Sequence, residues 1–121
     1  MARTVLVVED DTDIQQTLQL VLEEEGYSVV TADNGLEALN ILESGLDPSA
    51  ALIDLMMPVM SGWELIERMR AVPALARIPV IVVTAVGDQQ GAPEGIAHLL
   101  RKPVRLDQLL ALLAETCRTP D

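Results

Sequence analysis

The chain has 121 residues, of which 50% are hydrophobic and 22% are charged, and its formal net charge is -11. This balance predicts a single globular domain over residues 1–121 and excludes a disordered chain. The negative charge predicts no direct contact with nucleic acid, and the apolar runs are too short to span a membrane, so we expect a cytoplasmic protein.

The first half of the chain alternates short β-branched runs with amphipathic stretches. Val5–Val8 is typical of a strand that is buried on both faces. Thr12 and Gln15 form the T-x-x-Q pattern of a capping box, which predicts the start of a helix. The elements predicted next are the end of this helix at Gly26, a strand at Ser28–Ala32 and a turn at Asn34-Gly35. They are followed by a second helix that contains Leu36, Leu39 and Leu42 and is closed by Gly45, and by a strand at Ala50–Leu55.

The second half continues the alternation, with one interruption. The predicted elements are a third helix that contains Leu65, Ile66 and Met69 and stops before Pro73, strands at Val80–Thr84 and His98–Arg101, and a fifth helix that contains Leu106, Leu109, Leu110 and Leu113. A fourth helix is due between Thr84 and His98, but three glycines and a proline lie there. These residues disfavour helix, so we expect a loop with at most one or two helical turns.

Strands that alternate with helices predict a parallel sheet with helices on both faces. At this length, right-handed crossovers favour five strands in the flavodoxin-like, doubly wound order 2-1-3-4-5. In such a sheet, ligands bind beyond the carboxyl ends of the strands, where the strand order reverses.

Chemically capable residues stand at these strand ends. They are Glu9 and Asp10 after the first strand, Asp54 in the third, Thr84 in the fourth and Lys102 after the fifth. Carboxylates are ligands that Mg²⁺ prefers, and one carboxylate can instead attack a phosphoryl group. A lysine and a hydroxyl would offset the charge of that group. Each of these residues alone has an ordinary structural explanation; an aspartate at a strand end, for example, is often a cap or turn residue. The prediction of a site for Mg²⁺ and a phosphoryl group depends on their placement together.

The same residues resemble the receiver domain of bacterial two-component response regulators. The matching segments are Val5–Asp11, Asp54–Gly62, Val82–Ala85 and Lys102–Pro103, in this order. The resemblance implies that Asp54 takes phosphate from a phosphohistidine on a sensor histidine kinase or phosphotransfer protein and then switches a downstream effector protein.

The resemblance also implies roles for the neighbours of Asp54. Asp10 would bind Mg²⁺ directly, Glu9 would act through water, and the backbone carbonyl of Met56 would complete the protein ligands. Thr84 and Lys102 would each bind a phosphoryl oxygen. Asp11 lies one place beyond the acidic pair and is expected outside the site. A cis Lys102–Pro103 peptide is common in the family, so the resemblance favours cis here, whereas an X-Pro sequence alone favours trans.

Two departures from the family pattern concern output and lifetime. Leu99 stands where the family carries an aromatic switch residue, and the interval that should hold the fourth helix is short, so we expect an unconventional output or a phosphate sink. Met56 and Val86, two places after the acceptor and after Thr84, cannot readily position a hydrolytic water. We therefore expect slow self-dephosphorylation.

Three other interpretations stay open at this point. The chain could be a receiver module from a larger protein such as a hybrid kinase. It could be a flavodoxin-like binding module, although it has no Gly-rich phosphate loop after the first strand. It could also be an aspartate-dependent phosphatase of the haloacid-dehalogenase type, although Glu9, Asp10 and Asp11 do not form the expected Asp-x-Asp.

Overall fold

The computed structural model describes residues 3–85 and 93–117, and within them the chain forms five strands and five helices. The strands are β1 (Thr4–Val8), β2 (Ser28–Ala32), β3 (Ala50–Asp54), β4 (Val80–Thr84) and β5 (His98–Arg101). The helices are α1 (Thr12–Glu24), α2 (Gly35–Glu43), α3 (Gly62–Arg70), α4 (Pro73–Ala76) and α5 (Leu106–Thr116).

The five strands form one parallel sheet in the order β2-β1-β3-β4-β5. Alternate side chains of each central strand enter opposite halves of the core, as the two-residue period of a strand requires. In β1, Leu6 and Val8 pack with α2 and α3, whereas Val5 and Val7 pack with α1 and α5. This arrangement confirms the predicted flavodoxin-like fold, with helices covering both faces of the sheet.

The start of α1 differs from the prediction, because Asp11 and not Thr12 caps the helix. The Asp11 carboxylate accepts a hydrogen bond from the Ile14 N–H at 3.1 Å. Aspartate is as good an N-cap as threonine, and its position one residue earlier moves the helix start with it. The predicted capping box is therefore wrong, and the Gln15 side chain is buried instead.

The short helix α4 was not anticipated, because Pro73 was expected to end helical structure. Proline has no N–H to lose at a first helical position, and Pro73 occupies that position in α4. A loop with at most one or two helical turns was predicted between Thr84 and His98, in place of a fourth helix. Most of that segment, residues 86–92, lies outside the described residues. Of that connection, the described Ala85 and residues 93–97 are not helical.

Within residues 3–85 and 93–117, every helix falls short of the length and apolar character that a bilayer-spanning helix needs.

Candidate functional site

Four strand ends bring the predicted site residues to one edge of the sheet. Val8 of β1 is in register with Ile53 of β3, so Glu9 and Asp10 continue beside Asp54. On the other side of β3, Asp54 is paired with Val83, the residue before Thr84. Thr84 in turn pairs with Arg101, and the Lys102 N–H donates to the Thr84 carbonyl at 2.8 Å.

Three carboxylates converge at this edge. One oxygen from each of Glu9, Asp10 and Asp54 can be chosen so that all three lie within 4.8 Å of one another. Glu9 and Asp54 are almost fully buried, with exposed fractions of 3% and 5%, and Asp10 is exposed. The result is a partly enclosed acidic cluster that opens to solvent on the Asp10 side.

Lys102 supplies the opposite charge. Its ammonium nitrogen lies 3.1 Å from Glu9 Oε1 and 3.1 Å from Asp54 Oδ2. Burial lowers the pKa of Lys102, but the hydrogen bonds and charges of the two carboxylates outweigh burial and raise it. Lys102 therefore stays positively charged inside the cluster.

Glu9 shows the opposite effect. Burial raises the pKa of Glu9 from 4.5 to about 7, and the charge of Asp54 adds to the rise. The hydrogen bonds from the Asp11 N–H and from Lys102 oppose this rise without cancelling it. Three carboxylates face a single ammonium in this cluster, and an arrangement of this kind attracts a cation.

The turn after β3 fixes the position of Asp54. The Met56 N–H donates to Asp54 Oδ1 at 3.2 Å, so both carboxylate oxygens have partners. The Gly62 N–H donates to the Leu55 carbonyl at 2.9 Å. A Cβ on Gly62 would lie 2.5 Å from the Asp54 carbonyl oxygen, so only glycine lets α3 start this close to the strand.

The other predicted residues lie around this cluster. Thr84 is buried at the end of β4, with an exposed fraction of 3%, whereas the Met56 side chain is 56% exposed. The Lys102–Pro103 peptide is cis, as expected. Asp11 is occupied as the cap of α1 and does not belong to the carboxylate cluster.

Two residues that support the site were missed in the sequence. Gln15 was interpreted as part of a cap, yet its side-chain amide bonds the Glu9 carbonyl at 2.9 Å. Gly62 was included in the matching segment Asp54–Gly62, but no role in holding Asp54 in place was predicted for it. The sequence did carry a signal for the burial of Gln15, because Gln15 lies three residues before Leu18 and seven before Leu22 and so shares the buried face of α1.

A groove opens beside the cluster, between α1 and the segment that joins β5 to α5. Its volume is about 600 Å³, and its walls include Ile14 and Leu18 of α1 and the segment Lys102–Val104. The groove shares Lys102 with the acidic cluster. A molecule lying in it would therefore come close to Asp54.

The oxygen donors fit a hard divalent cation. Mg²⁺ is bound in proteins by one or two carboxylates, with waters and substrate oxygens completing an octahedron. Glu9, Asp10 and Asp54 supply such oxygens, and the exposed side of Asp10 leaves room for water. No sulfur or imidazole group belongs to this cluster among the described residues.

Comparison with known proteins gives a consistent result. The family model described as "Response regulator receiver domain" matches residues 5–114. An uncharacterised 14.6 kDa protein from the sodA1 3′ region of Leptolyngbya boryana is 40% identical over 117 residues, which cover 93% of this chain and 88% of that protein. The transcriptional regulatory protein YkoG of Bacillus subtilis (strain 168), itself uncharacterised, is 37% identical over 94% of this chain and 50% of its own length. The chain spans about half of most of the curated relatives compared.

The solved structures that resemble this chain agree with the sequence relatives. The receiver domain of the sensor histidine kinase PA1611 from Pseudomonas aeruginosa PAO1 superposes with a TM-score of 0.88 at 26% identity, over 97% of this chain and 98% of that one. That crystal structure has a magnesium ion coordinated in its active-site cleft. A putative response regulator from Chloroflexus aurantiacus J-10-fl superposes with a TM-score of 0.88 at 31% identity, over 97% of this chain and 98% of that one.

Proposed function

The chain belongs to the response regulator receiver domain family, and from that membership we propose that Asp54 is its phosphate acceptor. The phosphoryl group comes from a phosphohistidine on a sensor histidine kinase or a phosphotransfer protein. Phosphorylation then changes how the domain binds a downstream effector protein. Residues 1–121 act as one receiver domain, in the cytoplasm, where the ATP that charges such kinases is available.

One observation carries this proposal. Asp54 is buried at the end of β3, and its Oδ2 lies 3.1 Å from the Lys102 ammonium. A carboxylate can act as the nucleophile in phosphoryl transfer, and an ammonium fixed beside it can offset the negative charge of the phosphoryl group.

The positions of these groups support the following reaction. An Asp54 carboxylate oxygen forms a bond to phosphorus while the phosphorus–nitrogen bond to histidine breaks, and the imidazole leaves with that electron pair. Lys102 moves from the carboxylate to a phosphoryl oxygen, and the Thr84 hydroxyl donates to another. The domain thereby catalyses only its own phosphorylation and dephosphorylation.

In this proposal, the carboxylates of Asp10 and Asp54 and the Met56 carbonyl would hold Mg²⁺, and Glu9 would act through water. When bound, the ion neutralises negative charge on the phosphoryl oxygens and so lets them approach Asp54. The groove between α1 and the β5–α5 segment supports docking of the donor protein, because Lys102 is one of the residues that line it.

The test is phosphorylation by acetyl phosphate with Mg²⁺, followed by intact mass. We expect one added phosphate on the wild type and none on Asp54→Asn. Asp47→Asn is a matched control, because Asp47 is an exposed aspartate away from the cluster and should leave the added mass unchanged. A wild type that takes no phosphate, or an Asp54→Asn variant that takes one, would contradict the proposal.

The same assay measures the lifetime of the phosphoryl group. The exposed Met56 thioether accepts hydrogen bonds poorly, so we expect a half-life of minutes or longer once acetyl phosphate is removed. Met56→Asn should shorten that half-life, because an amide can orient water. A wild-type half-life of seconds would contradict this expectation; Val86, the other residue invoked in it, lies outside the described residues.

A further inference from the structure

Gln15 is a buried polar residue that the proposed reaction does not use. It lies in the first turn of α1 with an exposed fraction of 9%, whereas its neighbour Gln16 is exposed. Burying an amide without partners is unfavourable by several kcal/mol, so a buried amide is expected to make specific hydrogen bonds.

The Gln15 side-chain nitrogen is surrounded by three oxygens. It donates to the Glu9 carbonyl at 2.9 Å, to the Asp33 carboxylate at 3.0 Å and to the Ala32 carbonyl at 3.2 Å. Two N–H groups are therefore shared among three acceptors, and these acceptors belong to the ends of β1 and β2. The amide joins two adjacent strand ends at the edge that carries the carboxylates.

The Glu9 carbonyl is the acceptor that matters for chemistry. This carbonyl belongs to the peptide that links Glu9 to Asp10, so its orientation sets where both side chains begin. The N–H of Glu9 is held separately, because it donates to the Ala32 carbonyl at 3.1 Å. The Gln15 side-chain amide donates to both the Glu9 carbonyl and the Ala32 carbonyl. It therefore holds the Glu9–Asp10 peptide against the end of β2.

We propose that Gln15 is a positioning residue for the Mg²⁺ site, acting through the Glu9–Asp10 peptide. The inference rests on the proposed function, because it takes Glu9 and Asp10 as metal-binding residues. Groups that orient metal ligands without touching the metal commonly change metal affinity by about 10-fold to 100-fold when they are removed. Gln15 occupies such a place with a neutral donor, which holds the peptide without adding charge to the cluster.

A purely structural role makes a different prediction. If Gln15 only satisfied buried carbonyls, its loss would lower the free energy of unfolding but leave the Mg²⁺ affinity of the folded protein unchanged. A positioning role requires the affinity itself to fall. The two roles are therefore separated by a binding measurement under conditions where every variant is folded.

The experiment titrates Mg²⁺ alone into the full chain and follows backbone amide shifts by NMR. Gln15→Met keeps the length of the side chain and removes the donors, and Gln16→Met makes the same change at the exposed neighbour. We expect the dissociation constant to rise about 10-fold in Gln15→Met and less than 2-fold in Gln16→Met. Equal affinity in Gln15→Met and wild type would overturn the inference.

A measurement on the wild type covers the case in which Gln15→Met does not fold. The side-chain amide protons of Gln15 should exchange with water slowly and shift when Mg²⁺ is added, while those of Gln16 should do neither. Equal exchange rates and unshifted Gln15 signals would also overturn the inference.

Failure of the proposed function gives a distinct result. If the wild type does not bind Mg²⁺ and takes no phosphate from acetyl phosphate, the proposed function fails and the inference fails with it. If the wild type does both and Gln15→Met binds Mg²⁺ equally well, only the role of Gln15 is wrong.

Discussion

Glu9 is a carboxylate whose surroundings favour its neutral form when no cation is bound. Its pKa of about 7 comes first from burial and then from the charge of Asp54. A raised pKa means that the folded protein binds a proton more tightly than the unfolded chain does. The stability linked to Glu9 is therefore fully present below pH 4.5 and is lost as the pH rises to about 7.

We predict that Glu9→Gln stabilises the Mg²⁺-free protein at pH 8 and changes its stability little at pH 4.5. The pKa of Glu9 rises from 4.5 to about 7, and each pKa unit corresponds to about 1.4 kcal/mol, so the effect at pH 8 should not exceed about 4 kcal/mol. Urea unfolding in the presence of a chelator, at several pH values, measures it.

Glu24→Gln serves as the control for Glu9→Gln, because Glu24 is an exposed glutamate near the end of α1. Its stability should follow the wild type at every pH. If Glu9→Gln showed the same fall in stability with pH as the wild type, the assignment of this titration to Glu9 would be wrong.

The turn between β3 and α3 is the element that holds Asp54 in place. Ser61 caps α3 through a hydrogen bond from the Glu64 N–H at 3.2 Å, and Gly62 brings the helix against the backbone of Asp54 and Leu55. The turn also contains Val59 with a φ of 70°, a left-handed conformation that a β-branched residue rarely adopts. The position of the acceptor thus depends on close backbone packing.

We predict that Gly62→Ala destabilises the protein by about 2 kcal/mol, although alanine is the better helix former. Its Cβ would meet the Asp54 carbonyl oxygen at 2.5 Å and the Leu55 Cα at 2.8 Å, and both are backbone atoms that cannot turn aside. Phosphorylation by acetyl phosphate should slow at the same time, because the strand end must shift. Urea unfolding and intact mass measure the two effects.

Ser61→Ala separates helix capping from this close approach. It should lower stability by about 1 kcal/mol through loss of the cap, yet leave the phosphorylation rate near that of the wild type. An unchanged stability in Gly62→Ala would contradict the packing argument.

β5 contains Leu99, which the sequence resemblance placed where receiver domains are expected to carry an aromatic residue. Leu99 pairs with Val82 of β4 and packs, partly buried, against the core on the α3 side of the sheet. A leucine at this position has no aromatic ring that could rotate and no hydroxyl that could change its hydrogen-bond partner. We therefore expect the Leu99 side chain to keep the same packing after phosphorylation.

We predict that beryllofluoride, a phosphoryl mimic, shifts amide signals of Asp54, Thr84 and Lys102 strongly and those of Leu99 and His98 weakly. The expected pattern follows from a pocket that binds the mimic and a β5 side chain that stays packed. A two-dimensional NMR comparison with and without the mimic tests it. Large shifts at Leu99 would show that β5 does switch.

The whole molecule carries a net charge of -11, which opposes compaction. Raising the salt concentration from about 0.01 M to about 0.1 M shortens the Debye length from about 30 Å to about 10 Å. We predict a rise of a few degrees in melting temperature over this range, measured by circular dichroism with a chelator present.

Mg²⁺ should stabilise the molecule beyond this screening effect. At a concentration 100 times its dissociation constant, a ligand of the folded state adds about 2.7 kcal/mol. Comparison with NaCl at matched ionic strength isolates this term, and Asp10→Asn should lose it while keeping the response to NaCl. Identical melting temperatures in the two salts would argue against a specific site.

Some features of the fold followed directly from local patterns. The valine-rich runs located β1 and β4 to within one residue, because a buried parallel strand has few alternatives to a continuous apolar run. The start of α1 and the helix α4 were not predicted correctly. The sequence alone does not show which of two adjacent residues, Asp11 or Thr12, caps α1. It also does not show whether Pro73 ends one helix or begins the next.

The sequence by itself determined the sheet order, the strand ends and the set of residues that meet there. It did so because strand–helix alternation restricts the topology, and topology brings the carboxyl ends of β1, β3, β4 and β5 to one edge. Only the tertiary structure decided how that set behaves. It placed Glu9 in a buried position, set Lys102 between two carboxylates and brought the Gln15 amide to the Glu9–Asp10 peptide. These features depend on distances of about 3 Å between segments that are separated in the chain, and no local sequence pattern encodes such distances.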